Sequence, residues 1–287
     1  MSLSILTNVS AMNTQQNLLK SSNAVATSMQ RLSSGLRINS AADDAAGYAI
    51  SQGLTSQVNG LDQASRNTGD AVSMVQTAAS SLNNVQNMMQ RIYALGVQYQ
   101  NGSNSAGDKT DIQSEVNQLT SEIDRQRTAS NFNGVNLLSG AAGSSSNGTV
   151  TFQVGANNGD SMAATFSDIE GSSGLGGTAG FSWSGAATGG TVIDLSSTTA
   201  LTSLTAAISN VSTLAATLGA VQNRLQYTSD SIGSTETNLA ASNSQIKDVN
   251  MAKEMTSMTQ QQILSQAGTS MLAQANSQPQ LILKLLG

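Results

Sequence analysis

Apolar residues that alternate three and four positions apart, in a chain with a single proline, constrain the fold more than any other feature of the sequence. That spacing brings one side chain per turn to a single helix face, and proline is the residue that most often breaks a helix. The longest such stripe runs from Val58 to Tyr99, and Asn101 and Gly102 follow it. The sequence therefore predicts one helix of about 55 residues, roughly 80 Å long.

Three further segments, residues 5–32, 108–128 and 201–249, carry the same spacing. In the first of them the stripe consists of Leu18, Val25, Met29, Leu32 and Leu36. Gly35 suits the left-handed cap position at which this helix ends. Many stripe positions elsewhere are Ala, Ser or Thr, so the helices can approach closely while each buries little area. The predicted fold is mainly α, a long coiled-coil-like helical bundle.

Residues 139–200 differ in character from the rest of the chain. Residues 149–154 alternate apolar and polar side chains, and residues 161–166 follow a turn-like Gly/Asn/Asp stretch, which predicts a small β-hairpin in the middle of the chain. The Gly- and Ser-rich residues 171–195 predict an outer tip or loop. Their glycines do not match the spacing of a phosphate-binding loop.

Two adjacent acids, Asp43 and Asp44, stand out because only 10% of the residues are charged. Ser40 precedes Asp43 by three positions, which is the form of a capping box: Ser40 accepts bonds from the first free amides, and Asp43 accepts one from the Ser40 N–H. Asp44 adds negative charge at the positive end of the helix dipole. A catalytic pair is the alternative, but neighbouring helical residues point about 100° apart. We interpret these three residues as a helix cap.

The absence of two residue types excludes several kinds of chemistry. Without cysteine there are no disulfides or thiolate sites, and without histidine there is no Ser-His-Asp triad or His-based zinc site. Carboxylate metal binding and Ser-Lys or carboxylate mechanisms stay formally open. A net charge of −5 without a basic run argues against a nucleic-acid partner. We expect a protein that is not an enzyme and has no cofactor.

The N-terminal residues carry no basic region before Lys20 and no continuous apolar core, so a cleaved secretory signal is not expected. Apolar runs fall short of the ~20 residues of a membrane span, and we expect none. We therefore expect the chain in the cytosol, or exported by a route that reads another signal.

The sequence from Met251 onward is rich in Met and Gln and closes with an apolar run. We expect these apolar residues to be covered by the N-terminal helix, by another molecule, or by both. The tail residues are Met255, Met258, Ile263, Leu264, Met271, Leu272, Leu281, Leu283, Leu285 and Leu286.

Five segments together resemble the bacterial flagellins. They are LSSGLRINSAADDAAGYAIS (32–51), NTGDA (67–71), MQRI (89–92), SNFNG (130–134) and QAGTSMLAQAN (266–276). The resemblance implies a structural subunit that self-polymerises into the flagellar filament for motility. It implies paired N- and C-terminal helices in an inner tube, with other long helices in a surrounding layer.

The resemblance also implies a division of the chain. The inner terminal domain would comprise residues 1–42 and 248–287, and the helical layer residues 43–170 and 196–247 with the hairpin 149–166. Residues 171–195 would form the outer tip, so the chain looks like a short flagellin without a full outer domain.

Several partners follow from the same resemblance. It implies export through the flagellar apparatus, a cytosolic export chaperone on the tail residues from about Met251, and contacts with filament cap and hook-junction proteins. It also implies that innate flagellin receptors of animals would contact Gln90, Arg91, Leu95, Val97 and Glu115. The chain departs from the family pattern nearby, at Tyr93, Ala94 and Gly96.

Two other functions fit parts of the sequence. A hook–filament junction protein would have the same architecture but would be present in few copies. The segment 35–51 favours a flagellin over a junction protein. A soluble coiled-coil adaptor would stay in the cytosol and would not polymerise. Some flagellins carry a protease domain in the middle, which the Gly- and Ser-rich, histidine-free middle of this chain argues against.

Overall fold

The structure is a computed structural model of the chain, and it describes residues 7–140, 142–143, 148–169, 193–197 and 199–286, with side chains described as far as Ser277. Within these ranges the chain forms five helices: α1 (Val9–Ser34), α2 (Ala45–Tyr99), α3 (Ala106–Ala129), α4 (Ala200–Lys247) and α5 (Met251–Leu286). The four short strands are β1 (Asn131–Phe132), β2 (Val135–Asn136), β3 (Thr149–Gln153) and β4 (Ser161–Thr165). The predicted mainly α fold is confirmed, and the predicted single long helix is α2, with 55 residues.

The chain divides into two compact units. Unit 1 consists of Met1–Gln57 and Thr237–Gly287, and unit 2 of Val58–Glu236. Helices α2 and α4 therefore each contribute residues to both units. The division predicted from the sequence concerns an assembled filament, and it stays a prediction. Residues 171–192 of the predicted tip lie outside the described residues.

The core of unit 2 forms where α2, α3 and α4 bring their apolar stripes together. From Leu82 to Ile92 the large residues predicted for the stripe of α2 are fully buried, and Val116 and Ile123 of α3 are buried with them. Between residues 61 and 78 the buried positions include Ala64, Ala71 and Ala78. Small residues alternate here with the larger Leu61, Met74 and Val75, which are also buried.

Helices α2 and α4 run antiparallel in unit 2. The Gln86 side chain donates to the Ser212 hydroxyl at 3.1 Å. Ten residues further along α2, a Cβ on Gly96 would lie 2.8 Å from Cδ2 of Leu201, which precedes Ser212 on α4. Gly96 lies inside α2, where glycine lowers helix stability by ~0.5–1 kcal/mol relative to Ala. Glycine is nevertheless suited to this position, because the missing Cβ makes room for Leu201.

The predicted hairpin is confirmed. Strands β3 and β4 pair antiparallel from Thr149↔Thr165 to Gln153↔Ser161. Met162 and Ala164 face the core, and Phe166 just beyond β4 is fully buried. The hairpin therefore forms part of the core of unit 2 and is not a surface appendage.

A second, smaller hairpin was not predicted. Strands β1 and β2 pair through Phe132↔Val135, and the two residues between them both have positive φ, 49° at Asn133 and 80° at Gly134. These values are those of a type I′ turn, for which Asn-Gly is the preferred pair. The Asn-Gly dipeptide between Phe and Val was a signal that could have identified this hairpin.

The chain returns to unit 2 at residues 193–195, after the segment that lies outside the described residues. The Gln113 side chain donates to the Ile193 carbonyl at 2.6 Å and accepts from the Leu195 N–H at 3.1 Å. Ile193 and Leu195 are both buried, as is Ile169 before the segment. Both ends of the segment are thus fixed to the core.

By length and composition alone, α4 is the one helix of the described residues that is apolar enough to cross a membrane, with a mean hydropathy of 1.4 in its most apolar window. A third of that window (33%) is buried inside the protein. The buried residues include Leu204, Val211, Leu214 and Leu218, which pack in the core of unit 2. A soluble core helix has the same composition.

We expect Phe166→Ala to lower the free energy of unfolding of the monomer by about 3–5 kcal/mol, because it removes a fully buried aromatic ring. Urea unfolding followed by circular dichroism measures this change. The control is Tyr227→Ala, whose side chain is 75% exposed and whose loss should leave the monomer unchanged. Equal effects of the two substitutions would contradict the described core.

Candidate functional site

The terminal helices α1 and α5 pack against each other in unit 1. Their seam consists mostly of small residues. On α1 the more buried positions include Ala11, Leu18, Ala24, Ser28 and Leu32, and opposite them Gly268 of α5 lies against Leu18. The expectation that the C-terminal segment folds back on the N-terminal helix is confirmed. A seam of this composition buries little apolar area per turn.

One residue of the predicted α1 stripe was assigned to the wrong face. Met29 is 57% exposed, whereas its neighbour Ser28 is buried. The prediction took the larger apolar side chain as the one that faces inward. In this seam a serine is inside because its hydroxyl has a partner on α5, and the methionine is left outside.

That partner is Glu254. The Ser28 hydroxyl donates to Glu254 Oε1 at 2.6 Å, and Arg31 Nη1 lies 4.0 Å from the same oxygen. The two charged side chains are only 30% (Arg31) and 14% (Glu254) exposed. Nε of Arg31 is buried and has no hydrogen-bond partner in the described part of the chain. A partly buried pair of this kind specifies how two helices align more than it stabilises them.

Further polar contacts fix the two ends of unit 1. At one end the Asn8 side chain donates to the Ala275 carbonyl at 2.9 Å. At the other end the segments that follow α1 and α4 pair antiparallel at Leu36↔Asp248. There the Arg37 guanidinium donates to the Ile246 carbonyl at 2.6 Å, which satisfies a free carbonyl at the end of α4.

Large apolar side chains are exposed on the solvent-facing sides of this helix pair. On α1 they are Val9, Met12, Leu19 and Met29, each at least 56% exposed, and on α5 they are Met251, Met255, Ile263, Leu264 and Met271, each at least 47% exposed. Apolar side chains exposed in this number along two helices are available for contact with another molecule. We refer to these nine residues as the outer apolar face.

The tail residues named from the sequence fall into three groups. Met255, Ile263, Leu264 and Met271 belong to the outer apolar face, whereas Met258 and Leu272 are half-buried on the side of α1. Met255, Ile263 and Leu264 also line an open groove of about 490 Å³ with Thr and Gln side chains. Leu281, Leu283, Leu285 and Leu286 belong to α5, but their side chains lie outside the described residues.

The residues predicted for the cap do lie at the start of α2, but the capping side chain is a different one of the three. Helix α2 begins at Ala45, and its capping side chain is Asp44, whose Oδ1 accepts the Gly47 N–H at 2.9 Å. Asp43 Oδ2 accepts the N–H groups of Asn39 (3.2 Å) and Ser40 (2.9 Å) and the Ser40 hydroxyl (3.1 Å).

The prediction that Ser40 caps the helix was therefore wrong. The Asp43 N–H donates to the backbone carbonyl of Ser40, so residues 40–43 form a turn before the helix and the Ser40 hydroxyl is a donor. The Asp43 carboxylate does bond back to the Ser40 N–H as predicted. Two acids are needed because one closes the turn and the next caps the helix.

Gly47 explains part of the motif that sequence reasoning left unexplained. A Cβ at Gly47 would lie 2.5 Å from Asp44 Oδ2 and 2.7 Å from Cδ1 of Ile38. Ile38 is 1% exposed, so its side chain reaches into the first turn of α2. The absence of a side chain at Gly47 lets the cap and Ile38 occupy the same turn.

The three hydrogen bonds alter the acidity of Asp43. They hold the pKa of its carboxyl below the ordinary value, chiefly through the Ser40 N–H and then the Ser40 hydroxyl. The pKa of Asp108 is lowered by the same pair of groups of Ser105, in a complete capping box at the start of α3. Among the described residues no three acids gather as a metal site would require.

The predicted receptor residues do not form one exposed surface. Arg91 donates through Nε and Nη2 to Glu115 Oε1 at 2.9 and 2.7 Å, and both side chains are exposed, as is Val97 at 52%. Leu95, however, is only 2% exposed and packs in the core of unit 2. Its side chain is therefore not accessible for the predicted receptor contact. Tyr93, at 39% exposure, and Val97 are the accessible apolar residues here.

The apolar stripe of this stretch is covered within the chain itself, because Met89 and Ile92 are fully buried. Helices α3 and α4, which each run antiparallel to α2, cover this stripe. The spacing that suits a seam between molecules also suits a core within one molecule.

Comparison with known proteins gives matches over nearly the whole chain. Family models of the bacterial flagellin N-terminal and C-terminal helical regions match residues 5–142 and 201–286. Flagellins of Halalkalibacterium halodurans and Bacillus subtilis are each 39% identical to it, over 97% of this chain and 98% of theirs. The flagellar filament 33 kDa core protein of Treponema phagedenis is 41% identical over the same shares.

We expect Asp43→Asn to change how stability depends on pH. Because the folded pKa of Asp43 lies below its ordinary 3.8, its stabilising contribution is present above that value and is lost as the pH falls through the folded pKa. Melting temperatures of Asp43→Asn and of the unsubstituted chain should thus differ at neutral pH and converge in acid. Asp111→Asn, an exposed acid on α3, is the control.

A substitution of Asp44, together with Asp43→Asn, tests the structural interpretation of the acid pair. Asp44→Ala should lower the free energy of unfolding by ~0.5–2 kcal/mol through loss of the cap. Titration calorimetry with Ca²⁺ or Mg²⁺ should show no stoichiometric binding to the unsubstituted chain. Binding that disappears in Asp43→Asn would contradict the capping role.

Proposed function

The chain belongs to the bacterial flagellin family and is a structural subunit of the flagellar filament, and we propose that it joins its neighbours through the outer apolar face of the α1–α5 pair. One observation carries this proposal. Nine large apolar side chains on the two terminal helices are exposed, while small residues occupy the seam between those helices. The filament is an extracellular appendage, so these side chains face water unless another copy covers them.

The energetics favour burial between copies. Transfer of apolar surface out of water contributes about 25 cal/mol per Å², or ~1.5–3 kcal/mol for a large side chain that goes from fully exposed to fully buried. The side chains of this face are 47–61% exposed, so each would add about half of that amount when covered. The α1–α5 seam supplies little by comparison. We propose that residues 1–42 and 248–287 form the inner domain of the filament and that the long helices of unit 2 form the layer around it.

The same face requires protection before assembly. We propose that a cytosolic export chaperone covers α5 from about Met251 onward, where exposed Met, Ile and Leu line an open groove. Methionine suits such a surface, because its flexible side chain adapts to different partners. We further propose export through the flagellar apparatus without signal cleavage, and contacts of this face with cap and hook-junction proteins at the two ends of the filament.

A second proposal concerns innate flagellin receptors of animals, which the family resemblance places on α2 and α3. Gln90, Arg91, Val97 and Glu115 are accessible in the isolated chain and support such a contact. Arg91 is already paired with Glu115, and Leu95 supplies no exposed anchor. We therefore propose detectable receptor binding with weak signalling.

Two substitutions on α5 test the assembly proposal. Ile263→Asp with Leu264→Asp should leave a helical monomer that does not form filaments, because two charges would be buried between copies. Electron microscopy and sedimentation after seeding measure this. Gln262→Asp adds a charge at an adjacent exposed polar position and should polymerise.

Removal of residues 251–287 extends this test. The truncated chain keeps the core of unit 2 but leaves α1 without its partner, so it should lose helix content in circular dichroism and should not polymerise. Normal filaments from the truncated chain would show that the terminal pair is not the assembly surface.

Arg91→Ala tests the receptor proposal. In a reporter-cell assay the monomer should signal weakly, and Arg91→Ala should abolish that signal because it removes the cation of the proposed contact. Arg125→Ala is the matched control, because Arg125 is an exposed arginine in a similar ion pair, with Glu122. Full signalling by Arg91→Ala would show that the contact lies on other residues.

A further inference from the structure

Methionines are distributed unevenly between the two units of the chain. The sequence has 11 of them, and all except Met1 lie in the described residues. Those in unit 2 are buried or half-buried: Met74, Met88, Met89 and Met162. In unit 1 only Met258 is half-buried, and the exposed methionines all belong to the outer apolar face: Met12, Met29, Met251, Met255 and Met271. More than half of the nine residues of that face are thus methionine.

The chemistry of these side chains distinguishes the face from one built of leucine alone. Methionine and leucine both bury apolar surface, but a thioether sulfur accepts an oxygen atom from a peroxide and leucine does not. The chain has no cysteine, whose thiolate would react first. The five methionines are 48–60% exposed, and Met255 lines an open groove that a small oxidant can enter. The side chains most open to oxidation therefore lie on the face that we propose for assembly.

We propose that the five exposed methionines are an oxidation site, and that their conversion to sulfoxides by hydrogen peroxide stops the free subunit from joining a filament. In this reaction the sulfur donates an electron pair to one oxygen of the peroxide, and the O–O bond breaks. The second oxygen leaves as water, so the sulfur is oxidised and the peroxide reduced. The inference rests on the proposed assembly through the outer apolar face and adds a modification that controls it.

A sulfoxide is unsuited to burial on this face. It places a strongly polar oxygen acceptor on a side chain that was apolar. The other members of the face are Val, Leu and Ile, which offer no donor. Beside Met255, the hydroxyls of Thr256 and Thr259 already donate to carbonyls of their own helix at 2.9 and 2.8 Å. A polar group buried without a partner lowers an equilibrium constant by about tenfold or more.

The same oxidation should leave the folded monomer intact. Met74, Met89 and Met162 are at most 8% exposed, so peroxide reaches the outer apolar face before it reaches the core of unit 2. The seam between α1 and α5 consists mostly of Ala, Ser, Gly and Leu, which peroxide does not attack. A loss of polymerisation after mild oxidation would therefore come from the altered face and not from unfolding.

Mild treatment of the full-length monomer with hydrogen peroxide tests the inference. Peptide mass spectrometry should show the five exposed methionines oxidised before Met74, Met89 and Met162, and circular dichroism should show unchanged helix content. Once the peroxide is removed and seeds are added, the critical concentration for polymerisation should be higher by on the order of tenfold or more. Methionine sulfoxide reductases for both sulfoxide epimers should restore the original critical concentration.

Two variants, each compared with its own untreated sample, locate the effect. Peroxide should leave the critical concentration unchanged in a chain that combines Met12→Leu, Met29→Leu, Met251→Leu, Met255→Leu and Met271→Leu. Met88→Leu, at a half-buried position of unit 2, should respond to peroxide as the unsubstituted chain does. An unchanged critical concentration after oxidation of the five residues, or a loss that the reductases do not reverse, would overturn this inference alone. Failure of the untreated chain to polymerise would overturn the proposed assembly and this inference with it.

Discussion

The close approach of long helices through small residues is the constraint on which the rest of this structure depends. Alanine, serine and glycine at seam positions bring the backbones of α1 and α5 together, and the missing Cβ of Gly96 does the same for α2 and α4. Small seams leave large apolar side chains with no place inside the terminal pair. These side chains are available for contact with other copies of the chain.

Polar contacts decide how these weakly packed helices align. In unit 1 the register of α1 against α5 follows from a serine, an arginine and a glutamate at one level and an asparagine at the other end. A seam of small residues alone would tolerate sliding by one turn, since each turn resembles the next. The unpaired Nε of Arg31 indicates that this alignment is obtained at some energetic cost.

Periodicity predicted the helices well, because α2 to α4 repeat one pattern over many turns. It failed at Ser28, which is buried although the neighbouring Met29 is larger and apolar. Ser28 is buried because its hydroxyl bonds to Glu254, and periodicity carries no information about a partner more than 200 residues away. It also failed at Leu95, because an apolar stripe on a helix can face either the core of its own chain or a partner molecule. The packing of α3 and α4 against α2 buries Leu95, and the sequence of α2 alone does not show this. The sequence identified the residues at the start of α2 but not which of them caps the helix. The S-x-x-D pattern fits both a helix start and the turn that residues 40–43 form before the helix.

The anchoring of the chain on both sides of residues 170–192 has a further consequence. Ile169 leaves the core as a buried residue, and Ile193 and Leu195 re-enter it, held by both functional groups of the Gln113 amide. Between two fixed ends, each doubling of the intervening length costs only about 0.6 kcal/mol of loop entropy. A change in the length of the segment between these anchors therefore costs the helical core little, and the segment can vary in length and sequence while the assembling parts of the molecule stay the same.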